Sequence, residues 1–275
     1  AVEGLPISIK DLFDIEGETT MAGSVAREGE LAADENAEVV QRLIAAGAVI
    51  IGRTNMTEFA YSGLGINPHY GTPLNPYDRA TGRIPGGSSS GAAVSVADGM
   101  AVAGIGSDTG GSVRIPAALC GLTGFKPSAW RVSMTGVLPL SANLDSIGPI
   151  AASVRCCAEL DAILSGDGGP VPEALPLRGL RLAVPTTLAL DAMEKHVADT
   201  FAATVARLKE AGALVDEIAI PEFAELGNIN SKGGFTAAEA WAWHRDLIAR
   251  AGKRYDPRVV SRIMRGQDML SLIHI

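Results

Sequence analysis

Cysteine, histidine and aromatic side chains are all scarce in this sequence, and each shortage removes a class of chemistry. The three cysteines, Cys120, Cys156 and Cys157, include an adjacent pair, so an ordinary pairwise disulfide framework is not available. Reduced thiols and a cytoplasmic protein are the expectation. Cys120 sits among small and apolar residues over 117–122, the setting of an inert core thiol and not of a nucleophile. Only four histidines are present, His69, His196, His244 and His274, and none has an acidic neighbour in a recognisable triad motif. Aromatics make up 5% of the chain, the balance of a loop-rich α/β protein more than of a sandwich or a stacking surface. Charge is not concentrated either. The net charge of -8 comes from 31 acidic and 23 basic residues spread along the chain, and no basic block could follow a phosphate backbone. Direct nucleic-acid binding is not expected. No apolar run approaches the roughly 18 residues of a membrane span, so no membrane association is expected, and no signal peptide is visible. Metal-ligand spacings and cofactor fingerprints are also missing, so no metal and no cofactor are expected.

What remains is a chain of 275 residues with 47% hydrophobic content and 32 glycines, ample for a buried core. Asp34 is placed to cap a helix whose apolar residues Val39, Val40, Leu43 and Ile44 share one face. Gly47 then stops it before the β-branched run 49–51, which reads as a buried strand. The same order recurs with a helical pattern over 194–211, Gly212 and a strand-like run over 214–220. This alternation predicts an α/β fold. The breaker-rich stretch 165–179 reads as a long surface loop, and the strand-like run 180–184 after it could join the same sheet, so residues 1–270 are expected to form a single domain. Two helices are expected near the end, over 236–250 and 257–267, with Trp241, Trp243 and His244 on the first as packing or pocket-wall residues. The chain opens without Met and closes directly after a helical pattern, so both ends are expected to be truncated, and residues 271–275 are set aside as a sequence artefact.

The chemistry concentrates in two glycine-serine clusters, Pro85-Gly-Gly-Ser-Ser-Ser-Gly91 and Gly106-Ser-Asp-Thr-Gly-Gly-Ser-Val-Arg-Ile-Pro116. The second follows a strand-like run at 100–105 and opens a helix at 113–120, so backbone N–H groups converge at a helix N-terminus that stabilises negative charge. A phosphate cradle and an oxyanion hole both use such a site. The first needs a Walker-type or GxGxxG pattern that this cluster lacks, which favours the oxyanion hole. Ser112 directly follows the paired glycines and is the candidate nucleophile. Gly87-Ser-Ser-Ser-Gly91 matches GxSxG, but the polar residues before it are not strand-like, contrary to a nucleophile elbow. With histidine unpromising, the candidate base is Lys10, which ends the apolar run 5–9 where burial would favour a neutral amine. An isolated lysine in that position would more commonly be a solvated strand end.

Taken together, Gly4-Leu-Pro-Ile-Ser-Ile-Lys-Asp11, Gly52-Arg-Thr-Asn-Met-Thr-Glu-Phe59 and the two glycine-serine clusters, in this order, resemble the amidase signature family. Gly124-Phe-Lys-Pro127 and Leu144-Asp-Ser-Ile-Gly-Pro149 extend the likeness, which is strong over 4–165 and weak beyond. The resemblance implies a mixed β-sheet flanked by helices and a Ser-cisSer-Lys triad, with Lys10, Ser88 and Ser112 in the matching positions. Ser88 and Ser112 stand 24 residues apart, as in the family pattern. It further implies that Ser88 relays a proton from Ser112 to neutral Lys10. The N–H groups of Thr109, Gly110, Gly111 and Ser112 would hold the oxyanion, with Ser89, Asp108 and Arg114 as supporting residues.

The implied reaction is hydrolysis of a small carboxylic amide through an acyl-enzyme. A rival within the resemblance is the glutaminase component of a tRNA-dependent amidotransferase, its A subunit, which uses the same triad and needs partner subunits. Ala129-Trp-Arg-Val-Ser-Met-Thr-Gly136 and Ser62-Gly-Leu-Gly-Ile-Asn67 depart from the pattern expected of that component, which tilts the reading to a stand-alone amidase, with a homodimer left open. From a different class comes a catalytically silent protein that binds a small anion in the glycine loops.

Overall fold

The alternation of apolar and small residues in the first strand begins a mixed sheet, two of whose strands end at the candidate residues Lys10 and Asp108. The structure is a computed structural model, and it describes residues 2–269; the segment 271–275 set aside above lies outside them. The described residues divide into two compact units, one running to Val171 and resuming at Phe235, the other formed by Pro172–Gly234.

In the first unit, β1 (Pro6–Lys10), α1 (Glu38–Ala45), β2 (Val49–Thr54), α2 (Ser90–Ala97), β3 (Ala103–Asp108), α3 (Arg114–Leu119), β4 (Thr123–Gly124), β5 (Ser146–Ala151) and α4 (Val154–Ser165) follow in order. The five strands lie in the order β2-β1-β3-β5-β4. β1 pairs in parallel with β2 and β3, and β5 runs antiparallel to both β3 and β4, so the sheet is mixed. Its middle is apolar and sealed, with Ile7, Ile9, Ile105, Ile147 and Ile150 all inaccessible to solvent. On one face α2 approaches closely because β3 carries glycine. A Cβ on Gly106 would lie 2.5 Å from Ser89 Oγ, so only glycine lets the 88–91 turn rest there.

The second unit holds β6 (Arg181–Pro185), α5 (Lys195–Glu210), β7 (Leu214–Ile218) and the short α6 (Leu226–Ile229). Among the described residues its strands pair only with each other, in parallel, as α5 crosses between them. The chain then forms α7 (Gly234–Ala251) and α8 (Pro257–Met264). Pro257 occupies the first turn of α8, where its missing N–H costs nothing, and Asp256 caps it by accepting from Arg258 N.

Four sequence expectations change. Asp34 does not cap α1; the cap position is Ala37, which supplies no side-chain bond, and the helix is held by the packing of Val39, Val40 and Leu43. The run 49–51 is a strand but not a buried one, because β2 is a sheet edge and leaves Val49 51% and Ile51 47% exposed. The strand read at 100–105 starts later, at Ala103, since Met100 and Val102 are exposed. The 180–184 run forms β6, in the separate two-stranded sheet and not in the main one. The 165–179 stretch, expected as a surface loop, is where the chain passes from the first unit to the second. Among the described residues no helix is long and apolar enough to cross a membrane.

Candidate active site

Parallel pairing of β1 with β3 brings Ile9 level with Ile105, so the ends of both strands, Lys10 on one side and, after Gly106, Ser107 and Asp108 on the other, lie side by side. The carboxyl ends of parallel strands are where open α/β sheets present their ligand sites. Lys10 is 0% exposed. Its Nζ lies 2.8 Å from Ser88 Oγ and 2.8 Å from Ser107 Oγ. Burial lowers its ammonium to about 7, with the carboxylates of Asp145 and Asp108 opposing the fall. Ser88 is also inaccessible, and the peptide bond Gly87–Ser88 is cis.

Ser112 is 6% exposed and precedes α3. The turn before it is shaped by Asp108, which accepts from Gly111 N at 2.7 Å, from Val113 N at 3.2 Å and from both Nε and Nη2 of Arg114 at 2.9 Å. Burial pushes the Asp108 carboxyl up, but the Arg114 bonds and the Val113 and Gly111 N–H groups outweigh it and hold the group below the usual carboxylate range. Gly111 has φ +120° and a Cβ there would meet Ile115 Cδ1 at 2.7 Å, so the turn demands glycine. The Gly111 N–H donates to Asp108, and Thr109, Gly110 and Ser112 line a cavity of about 190 Å³.

That cavity is completed by residues 60–63, Ile115, Leu140 and Thr236, with no charged side chain on its wall. Phe59 and Ala60 hold left-handed φ angles of 48° and 59°, unusual for residues with side chains, and turn 60–63 toward Ser112. Packing fixes the turn. The Phe59 ring meets His244 edge-on with centroids 4.4 Å apart and stacks on Tyr255 at 5.0 Å. Beside it the buried Glu58 accepts from Ser24 Oγ at 2.6 Å and Asp256 N at 2.7 Å and lies 2.9 Å from His69 Nε2. Burial pushes the Glu58 carboxyl up against those bonds.

The sheet ends and the first glycine-serine turn thus bring Lys10 and Ser88 into contact, and the second turn carries Ser112. The link between the turns is through the backbone, the Ser89 N–H donating to the Ser112 carbonyl at 3.2 Å. Among the described residues no hydrogen bond joins Ser88 Oγ to Ser112 Oγ. Ser89 Oγ donates to the Ser107 carbonyl at 3.3 Å, and not to either hydroxyl. Arg114 spends its guanidinium on Asp108, and its outer face is exposed. His244, Trp241 and Trp243 lie in the packing on Phe59 and against the core. Cys120 has its thiol pushed up to about 11, by burial first and Asp98 second, and all three cysteines are free. Among the described residues no cluster of His, Cys, Asp or Glu is arranged to hold a metal ion.

Three residues of the site were not singled out from sequence. Ser107 holds the second bond to Lys10. Asp145 accepts from Thr109 Oγ1 at 2.5 Å, from Leu140 N at 2.9 Å and from Ser141 N at 3.0 Å. Glu239 of α7 accepts from Ser141 and Asn143. Their partners lie far away in the chain; the available signals were that Ser107 falls within the second glycine-serine cluster and Asp145 within the 144–149 motif.

Comparison with known proteins places this geometry. The family model described as Amidase matches residues 1–271. The chain is 36% identical over 274 residues to a 2-amino-5-chloromuconic acid deaminase of Comamonas testosteroni, covering 99% of this chain and 59% of that protein. It is 35% identical over 300 residues to the A subunit of a glutamyl-tRNA(Gln) amidotransferase of Chloroflexus aurantiacus, covering 98% of this chain and 61% of that protein. Among solved structures, an amidase crystal structure superposes with a TM-score of 0.88 at 35% identity, covering 98% of this chain and 60% of that one. The chain therefore spans about 60% of the length of the relatives it matches. With its mixed sheet, its paired glycine-serine turns and a family match running almost from end to end, the chain belongs to the amidase family.

Proposed function

We propose that the protein hydrolyses a carboxylic amide to a carboxylate and ammonia or an amine, through an acyl-enzyme on Ser112. The observation that carries this reading is Lys10, an amine sealed from water, poised to be neutral near pH 7 and bonded to Ser88, whose neighbour Ser89 donates its N–H to the Ser112 carbonyl. Neutral Nζ has a lone pair. In the proposed reaction Ser88 gives its hydroxyl proton to that lone pair as it takes the proton of Ser112, and Ser112 Oγ bonds to the substrate carbonyl carbon. The carbonyl π electrons move to the oxygen, which is met by the N–H groups of Thr109, Gly110 and Ser112. Collapse breaks the C–N bond, and the relay run backward protonates the departing nitrogen. Water then repeats the sequence on the ester, its proton taken by the relay, and releases the acid. The bond between the two serine hydroxyls that this relay needs would form with substrate in place, since catalytic hydrogen bonds often tighten only in the complex. Lys10, Ser88 and Ser112 thus act as base, relay and nucleophile, while Asp108 orients the oxyanion turn, with Arg114 as its counter-ion and Ser89 joining the two turns.

The likeness to the A subunit of an amidotransferase supports a second reading, in which the amide is glutamine and the ammonia passes to a partner protein. The experiment that separates the two is ammonia release from a panel of primary amides including glutamine, with and without the partner subunits of such an amidotransferase. Turnover of simple amides by the protein alone supports the first reading; glutamine turnover only with partners supports the second. Both units of the chain are proposed to belong to one amidase domain, since the family match runs through them.

A further inference from the structure

Two carboxylates unused by the proposed chemistry stand behind the wall of the Ser112 cavity. Asp145 accepts from Thr109 Oγ1 and from the N–H groups of Leu140 and Ser141, which ties segment 140–141 to the oxyanion turn. Glu239, 9% exposed, accepts from Ser141 Oγ, from Asn143 Nδ2 and from Asn143 N, the last at 3.3 Å. Thr236 precedes Glu239 by three residues in α7, so the two share a helix face. The cavity is lined by Thr109, Leu140 and Thr236, one from each of the three elements that the carboxylates join. Neither carboxylate forms a salt bridge among the described residues. A buried carboxylate without a cation is costly unless its oxygens are fully bonded, so this pair holds its donors firmly in place.

We propose that Glu239 is a positioning residue that, acting with Asp145 through segment 140–145, fixes Leu140 against Ser112 and so limits the length of acyl group the cavity admits. The inference rests on reading Ser112 as the acyl-accepting nucleophile. A cavity of about 190 Å³ suits an acyl group of a few carbons. Without the Glu239 oxygens, Ser141 and Asn143 lose their shared acceptor, the segment moves off α7, and Leu140 no longer closes the end.

The test uses two alkyl fluorophosphonates, one ethyl and one octyl, and measures the second-order rate at which each labels Ser112 in the full chain. The ratio of the two rates is the readout, because a general loss of folded protein lowers both alike. The wild type is expected to favour the ethyl probe. Glu239→Ala is expected to narrow the preference by roughly tenfold, the discrimination a snug apolar wall can exert on chain length. Glu239→Gln keeps one carbonyl acceptor and is expected to fall between them. Should Glu239→Ala fail to fold, Glu239→Gln and Ser141→Ala carry the comparison. A labelled wild type whose ratio survives all of these substitutions overturns this inference alone. A folded wild type with no label on Ser112 overturns the nucleophile reading, and this inference with it.

Discussion

The amine of Lys10 lies 2.8 Å from the hydroxyl of Ser88 in a region closed to water, and among the described residues its other hydrogen-bond partner is a hydroxyl, not a carboxylate. That separates it from a structural lysine, which when buried is paired with a bonded acid. Here the nearest charges, Asp145 and Asp108, act on it only through space.

The pH dependence of labelling follows from this placement. The base must be neutral, so the rate of Ser112 labelling should rise as pH climbs through about 7 and level off above it. Ser107→Ala removes one acceptor of the ammonium protons and disfavours the charged form further. Its acid limb should therefore move to lower pH, read from labelling rates between pH 5 and 9.

Stability carries a second signature of the same group. The folded pKa of Lys10 lies below the ordinary lysine value of 10.5, so between about 7 and 10.5 the unfolded chain binds the extra proton and stability rises with pH. Below that window the folded state holds a buried charge. Lys10→Met should be more thermostable than the wild type at pH 6, and the advantage should shrink as pH is raised to 9. Melting curves at both values check it, and an advantage independent of pH would contradict the assignment.

His244 predicts acid sensitivity from the packing around it. Burial, and then the nearby Arg27, lower its imidazole to about 3, and it stays neutral against Phe59 and Tyr255. Between the usual histidine value of 6.5 and about 3 the unfolded chain takes up a proton that the folded one refuses, so stability falls as pH falls across that range. His244→Phe should reduce the loss in melting temperature between pH 7.5 and pH 4.5, while leaving Ser112 labelling at pH 7.5 within a few-fold of the wild type.

The turn before Ser112 is fixed by one acid and one glycine. Asp108→Asn loses the charge that gathers Gly111, Val113 and Arg114, and should cost about 2 to 3 kcal/mol of stability and lower Ser112 labelling roughly a hundredfold. Gly111→Ala meets Ile115 and a positive φ, and should cost about 1 to 3 kcal/mol. Denaturant unfolding and labelling of the same samples measure both effects.

How much of this was written in the sequence depends on range. Local patterns gave the strand ending at Lys10, the helix after Ser112 and the helix-glycine-strand order of α5 and β7, because each is set by neighbouring residues. The exposure of β2 could not be read, since an apolar β-branched run looks the same at an edge as in the middle of a sheet. Nor could the pairing of β6 with β7 alone, because sheet membership is decided by tertiary partners. For the candidate site, the glycine-serine clusters pointed to Ser112 and the apolar run to Lys10, while the bond of Lys10 to Ser88 across 78 positions is seen only in the structure. Ser107, Asp145 and Glu239 stayed hidden because what defines them is a bond to a residue 97, 36 and 98 positions away. The commitment of the Gly111 N–H to Asp108 was hidden for another reason, since a run of glycines does not say which way each N–H points.

The role of Lys10 and Ser112 as base and nucleophile is tested by intact-mass labelling with a small fluorophosphonate at pH 8, comparing the wild type with Ser112→Ala and Lys10→Met. The account predicts one adduct on the wild type, mapped to Ser112, none on Ser112→Ala, and labelling slowed by two orders of magnitude or more in Lys10→Met. An adduct that persists in Ser112→Ala, or a Lys10→Met variant that labels as fast as the wild type, would contradict it.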